Sequence, residues 1–373
     1  MPPVDKKGPP RPTIRAIADM AGVSRTTVSL ILANRQDMVD RFRPETVDKV
    51  RRAAESLGYR ANLLAISLRS PRPTFFALIL RGPGQADPDS VSWHHQAFEG
   101  MFLAGALEAS RSLRLYPVVA TQDLPETEDA LQTSTEVLEG GVFGAVVRSP
   151  VSILHEPLSR HIQQGMPIVT VFPEYPDLYP TNVIDLDNTA AGELAGRLLL
   201  DAGRRRWLFL FEADIWEALR IRLAGLRSFA EQAGASLEEF IVPPELPEAD
   251  VPGCLATRFK EMRIDGVYAP SALSAVRALY ACMVAGLRVP DDVCIVGTDA
   301  ALWRARGFPS ITSIDVSWYR AGELAVRRMA ELRDSGDSFF ENVCLPPIVH
   351  PGESCPSTLS KQVTAAVAGP HAV

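Results

Sequence analysis

Arg25, Thr26, Ser29 and Leu30 fall close together, on the side of a short helical pattern away from an apolar trio, Val28, Ile31 and Leu32. Small polar and basic side chains on one face suit the floor of the DNA major groove, where they meet base edges and where a leucine can lie against a thymine methyl. Other chemistries leave no comparable trace. The chain has no G-x-x-x-x-G-K, no G-x-G-x-x-G after a strand and no G-x-S-x-G. His94 and His95 are adjacent, so their side chains diverge, and no third ligand stands at metal spacing. Cys254, Cys282, Cys294, Cys344 and Cys355 are scattered without a C-x-x-C pair, which reads as free thiols in a reducing compartment. No catalytic residue, metal or cofactor is expected.

Those four residues need a frame. Thr13 precedes Ile14, Ile17, Ala18 and Ala21, one apolar helix face with Thr13 as N-cap. Gly22 supplies a turn and Ser24 can cap the next helix, which together make a helix-turn-helix signature. A third helix starts with Pro44 at its first position, carries Val47, Val50, Ala54 and Leu57, and stops at Gly58. The expected core is Ile17, Val28, Leu32, Val47 and Val50, and by periodicity alone any small helical bundle would read this way.

Net charge is −7, a poor average for a partner of a polyanion, yet residues 1–72 hold 14 Lys/Arg against 7 Asp/Glu, which nets +7. The remainder carries 24 basic and 38 acidic residues, or −14. A basic head on an acidic body fits one small domain touching phosphate, though charge by itself fits a biased surface equally well. The first 13 residues have two lysines and no following apolar stretch, so no secretory signal is expected. No apolar run approaches a membrane span. A cytoplasmic protein is the expectation.

From residue 73 short apolar runs alternate with helical patterns: 75–80, 115–120, 144–147, 168–171, 207–211, 266–269 and 293–296, with a helix over 98–113. This alternation predicts parallel, doubly wound sheets, and the length suits two lobes with a cleft between them.

The strings TIRAIADMAGVSRTTVSLIL and RPETVDKVRRAAESLGYRANLLAISLR resemble the head and hinge of the lactose-repressor (LacI/GalR) family. The phrases VIDLDNTAAGELAGRLLLDAGRRRWLFL, RIRLAGL, RIDGVYAP, VPDDVCIVGTD and FPSITSID extend the resemblance over a periplasmic-binding-protein-like core. The resemblance implies a disordered arm (1–12), a helix-turn-helix head (13–60), a hinge helix (61–72), an effector-binding and dimerisation core of two lobes joined by three crossovers (73–355), and a tail (356–373) expected to be disordered. It implies that Arg25, Thr26 and Leu30 face base edges and that Ser24, Thr27 and Ser29 meet phosphates, with Asn34 nearby. Leu68 would wedge into the minor groove with Arg69 beside it; read on residues alone, Leu63, Leu64 and Leu68 equally pack a linker.

The same resemblance places Phe98, Arg222, Asp299 and Trp318 at an effector cleft, Arg222 and Asp299 approaching each other and Trp318 forming an apolar floor. Without it, an arginine reads as an ion pair, an aspartate as a cap and a tryptophan as core. The chain departs from the family at Leu30, commonly arginine, at Ala33, at Phe172-Pro173 where Asp-Arg is common, at Pro270-Ser271 where Asn-Asp is common, and in a long loop, 81–96, holding Trp93, His94 and His95. Arg204, Arg205 and Arg206 match an ordinary turn rather than a phosphate patch. The expected protein is a repressor that binds a near-palindromic double-stranded operator as a homodimer and responds to a small polar, sugar-like effector. A free-standing solute-binding protein lacks such a head, and an α/β enzyme would need a nucleophile–base motif.

Overall fold

The computed structural model describes residues 12–32, 39, 41–59, 73–82, 93–122, 128–179, 181–211, 217–299, 309–315, 317–337 and 339–357. The chain divides into two compact units, Met1–Phe75 and Phe76–Val373.

In the first unit, α1 (Ile14–Ala21) begins where Thr13 Oγ1 accepts from the Ala16 amide at 3.2 Å, and ends at Gly22 with φ 67°. Glycine is needed there because a Cβ disfavours the left-handed region. Helix α2 (Arg25–Leu32) is opened by Ser24 Oγ, which accepts from the Thr27 amide at 3.0 Å. Helix α3 (Pro44–Ser56) starts on proline after an extended Arg43. Ile17, Val28, Ile31, Val47, Val50, Ala53 and Ala54 form the core. Leu32 is only half-buried, and Ile31 takes the place expected for it. At about 100° per residue, Leu32 turns beyond Val28 while Ile31 falls on its other flank, toward the core.

The second unit contains two six-stranded sheets. The first has strand order β11-β5-β4-β3-β1-β2, from β1 (Phe75–Arg81), β2 (Tyr116–Gln122), β3 (Ala145–Arg148), β4 (Ile168–Val171), β5 (Val183–Leu186) and β11 (Val343–Leu345). The second has order β12-β10-β9-β8-β6-β7, from β6 (Arg206–Phe211), β7 (Ser236–Ile241), β8 (Gly266–Ala269), β9 (Cys294–Thr298), β10 (Thr312–Asp315) and β12 (Ile348–His350). β12 runs antiparallel to β10, and the other pairings of known register are parallel.

Parallel strands covered on both faces are apolar throughout, because alternate side chains enter opposite cores. In β1, Phe76, Leu78 and Leu80 join one cluster while Ala77 and Ile79 join the other. In β6, Trp207, Phe209 and Phe211 separate from Leu208 and Leu210 in the same way. Each large side chain so buried stabilises by roughly 1.5–3 kcal/mol.

Among the described elements the chain passes between the sheets after β5, after β10 and after β11. The first passage carries α7 (Asn188–Asp201) and the second α11 (Trp318–Ser335). Each packs closely on a helix of its lobe: α7 on α8 (Glu217–Ala233), α11 on α4 (Trp93–Leu113). Glycine permits both approaches. A Cβ at Gly192 would lie 1.9 Å from the Arg222 carbonyl oxygen, and one at Gly105 1.9 Å from that of Tyr319.

Two expectations are corrected. The segment 81–96 is not loop throughout: Arg81 ends a strand and α4 begins at Trp93, before the expected start at Phe98. The tail does not start at 356, since Ser357 is buried and its hydroxyl donates to Asp201 Oδ2 at 2.5 Å. The arginine triplet serves the fold: Arg204 donates to the Pro290 and Asp291 carbonyls at 2.7 and 3.0 Å, and Arg206 pairs with Asp265 at 3.6 Å.

Candidate functional site

The outward face of α2 is built by the caps that fix its start. Ser24, Arg25 and Thr26 are exposed, and Thr27, Ser29 and Leu30 are half-exposed. Ser24 and Thr27 share a hydroxyl hydrogen bond of 2.9 Å, which orients both beside the helix N-terminus. That end carries no acidic residue in its first turn, so the helix dipole and free amides there favour an anion such as a backbone phosphate. Asn34, Leu68 and Arg69 lie outside the described residues.

The second candidate lies where the parallel strands of the two sheets end. Open α/β sheets bind ligands outside the carboxyl ends of their strands. Four non-glycine residues with positive φ stand there: Ser149 after β3, Phe172 after β4, Asp299 after β9, and Ser317 before α11, at 42°, 50°, 54° and 55°. Left-handed conformations in such residues cost about 1–3 kcal/mol each and cluster at functional sites.

On the first lobe's side, Trp318 gathers the cluster. Phe98 stacks on it with centroids 5.4 Å apart and planes at 18°, and Phe172 meets it edge-on at 4.8 Å and 76°. The Arg148 guanidinium stands 4.8 Å from the indole centroid, a cation–π contact. Arg148 Nη1 also lies 2.7 Å from Glu99 Oε1, with both side chains nearly sealed from solvent. Burial pushes the Glu99 carboxyl above the ordinary carboxylate range, opposed by Arg148 and Arg81. Burial likewise lowers Arg148 from the ordinary guanidinium value, opposed chiefly by Glu99. Behind them, Arg81 pairs with Glu174 at 3.4 Å. Gln122 holds the β3 exit, donating to the Arg148 carbonyl at 2.6 Å and accepting from the Val151 amide at 3.0 Å.

On the second lobe's side, Arg222 is buried and its Nε donates to Asn188 Oδ1 at 2.8 Å. Asn188 opens α7, and the Asp187 carboxylate caps that helix by accepting from the Ala190 amide at 2.8 Å. Arg222 and Asp299 both bear on the buried Tyr268, whose hydroxyl is within 3.0 Å of Thr298 Oγ1. Burial raises the Tyr268 phenol. It also raises the Asp185 carboxyl, against the Leu186 amide and Arg222.

Phe98 and Trp318 are thus brought together, while Arg222 and Asp299 each act electrostatically on Tyr268. Arg148, Glu99 and Gln122 were missed, because an arginine ending an apolar strand and a glutamate within a helix look ordinary in sequence. The one available signal was the unusual pair Phe172-Pro173, since Phe172 packs against Trp318. Ser271 serves as the N-cap of α10 (Ala272–Ala285), accepting from the Ser274 amide at 3.1 Å. No group of His, Cys, Asp and Glu among the described residues is disposed to hold a metal.

Comparison with known proteins matches residues 13–62 to the bacterial regulatory proteins of the lacI family and residues 197–355 to a periplasmic binding protein-like domain. The transcriptional regulator CelR of Thermobifida fusca is 27% identical over 327 residues, covering 86% of this chain and 91% of its own. The transcriptional repressor PurR of Mannheimia succiniciproducens is 26% identical over 342 residues, covering 90% and 96%. The lac repressor dimer bound to operator and the anti-inducer ONPF shares the fold, with a TM-score of 0.75 at 19% identity over 92% of this chain and 99% of that one. A CelR–cellobiose complex gives 0.60 at 23% identity, covering 92% and 100%. These relatives are transcriptional regulators, not enzymes.

Proposed function

We propose that this chain, whose residues 13–62 match the lacI family of bacterial regulatory proteins, is a member of that family and a cytoplasmic repressor, which binds a near-palindromic operator as a homodimer and releases or tightens on it when a small polar effector enters the inter-lobe cleft. One observation carries the reading: a capped α2 that exposes Arg25 and Thr26 is joined in one chain to a two-sheet body that stacks Phe98 on Trp318 and buries Arg222. The first is equipped to touch phosphate and base edges, the second to hold a ligand's polar groups against an aromatic surface.

A sugar or sugar-like effector is supported by the relatives, since CelR has been solved with cellobiose. The homodimer is supported by α10, which exposes Tyr280, Met283 and Val284, each more than half exposed and at spacings that share one helix side. Two-fold pairing would cover such a patch, and protein symmetry would match operator symmetry. A cytoplasmic location accords with the five free cysteines, and no helix among the described residues is long and apolar enough to cross a membrane.

The test is selection of bound sites from random DNA by the full-length protein, followed by anisotropy titration against the selected site with a panel of sugars, sugar acids and sugar phosphates. A palindromic logo, affinity that falls steeply with salt and one compound that shifts it several-fold are expected. A logo without two-fold symmetry would remove the dimer, and no enrichment at all would remove the repressor.

A further inference from the structure

Arg148 is held more firmly than a surface arginine needs to be. Gln122 bonds the Arg148 and Ser149 carbonyls at 2.6 and 3.1 Å, and Ser149 adopts φ 42°, so the backbone that aims the side chain is fixed twice. The guanidinium stands over Trp318 and beside Glu99. Two buried donors in this cluster, Arg148 Nε and Trp318 Nε1, make no hydrogen bond among the described residues, and the Glu99 oxygens, though Oε1 lies 2.7 Å from Arg148 Nη1, are not placed to accept from them. Orphaned buried donors are costly and call for an acceptor. Across the cleft Arg222 spends its Nε on Asn188, and Asp299 acts on both Arg148 and Tyr268.

We propose that Arg148 is the effector-selecting residue, and that the effector is a small polyol carrying one anionic group, carboxylate or phosphate, received by Arg148 and Trp318 Nε1. This deepens the cleft reading above and rests on it. An oxyanion has several lone pairs, so it can take the planar guanidinium fork and the indole N–H together, where a sugar hydroxyl satisfies one of them. The polar pairs common in the family, which can meet sugar hydroxyls, are absent here: Phe172-Pro173 and Pro270-Ser271 stand in their places. Phe172 packs on Trp318 and Ser271 caps α10.

An entering anion must share Arg148 with Glu99. The charged groups around that carboxylate are Arg148 from β3 and Arg81 from β1, and Arg81 is paired with Glu174; Asp299 bears on Arg148 from the other lobe. With its counterion engaged elsewhere, the buried Glu99 takes up a proton. Binding of the anion therefore consumes about one proton from solvent, and affinity rises as pH falls, by up to about tenfold per unit over the range where free Glu99 is ionised and liganded Glu99 is not.

The full-length protein is titrated calorimetrically with D-gluconate, D-galacturonate, glucose 6-phosphate, D-glucose and cellobiose, in two buffers of different ionisation enthalpy and at several pH values. An acid is expected to bind with proton uptake, at least tenfold more weakly in R148Q and with the uptake abolished in E99Q. Far-UV circular dichroism and the melting curve of each variant check folding, and should R148Q fail that check, the pH profile of the parent against E99Q decides. The sugar acids and the phosphate distinguish the two anions. A neutral sugar binding in preference to every acid, or an acid binding R148Q as tightly as the parent, overturns the proposal and leaves the cleft reading standing. If nothing in the panel binds, the cleft reading falls and takes the proposal with it.

Discussion

Leu30 is half-exposed on α2, about 140° around the helix axis from Arg25, while Thr26 points most directly away from the core formed by Val28 and Ile31. A leucine cannot bridge guanine O6 and N7 as arginine does, but its methyls can rest on a thymine methyl. Leu30→Arg is therefore expected to move one symmetric pair of operator positions toward guanine, by about 1–3 kcal/mol of discrimination, and site selection with both proteins reads it out. An unchanged logo would take Leu30 off the base-reading face. In the body, Arg222 donates to Asn188 while buried. Arg222→Met should cost on the order of 1.5–3 kcal/mol, because a charged hydrogen bond is lost and a buried amide oxygen is left behind; the shift in urea midpoint at constant slope measures it. Arg222, Asp299 and Trp318 were singled out only by the family resemblance, since their residue types alone read as an ion pair, a cap and core. Arg148 and Glu99 were not, since their pairing joins residues 49 apart through a strand end and a helix that carry no local mark.

Seven of the twelve described strands were visible as apolar runs, their observed ends within two residues of the runs, because side chains on both faces of the central strands are covered; β5, β7, β10, β11 and β12, shorter or more polar, matched no run. The phase of α2 was harder. Three adjacent apolar candidates leave two ways to centre a stripe, and packing chose Val28 with Ile31. Tight helix crossings were invisible as such, since a glycine inside a helical pattern says nothing about its neighbour. Gly192 is the informative case, because its missing Cβ lets α7 approach the backbone of Arg222 itself. Gly192→Ala must push the helices apart at an oxygen that cannot swing away, an overpacking cost of about 1–3 kcal/mol. It should weaken effector binding as well, since the shift moves Arg222 relative to Asn188. Gly105→Ala makes the matching clash in the other lobe, against Tyr319. Comparable loss of melting temperature in both, with effector affinity unchanged in Gly192→Ala, would show that the crossing sets stability without setting the site.

At the scale of the molecule, the charge division seen in the sequence gives the +7 head an attraction for a polyanion that the −14 body lacks. What sequence could not supply is the surface proposed for pairing of two copies, because Tyr280, Met283 and Val284 read equally well as core residues of an apolar helix. The fold turns them outward while Ala275, Ala278, Ala281 and Cys282 take the inner side of α10. Small residues inside let the helix sit close on the sheet, and the large ones outside are left in solvent as an apolar patch. Met283→Asp places a charge in the middle of that patch without touching the inner side. It should leave the melting of the monomeric fold nearly unchanged, because a surface substitution away from the core costs within about 0.5 kcal/mol. Sedimentation velocity should show the parent as a dimer and the variant as a monomer at the same micromolar concentration. Operator affinity should then fall by roughly a hundredfold or more, since two linked heads gain that much from binding as one unit. A variant that sediments as the parent does and still grips the operator would move the dimer contact off α10.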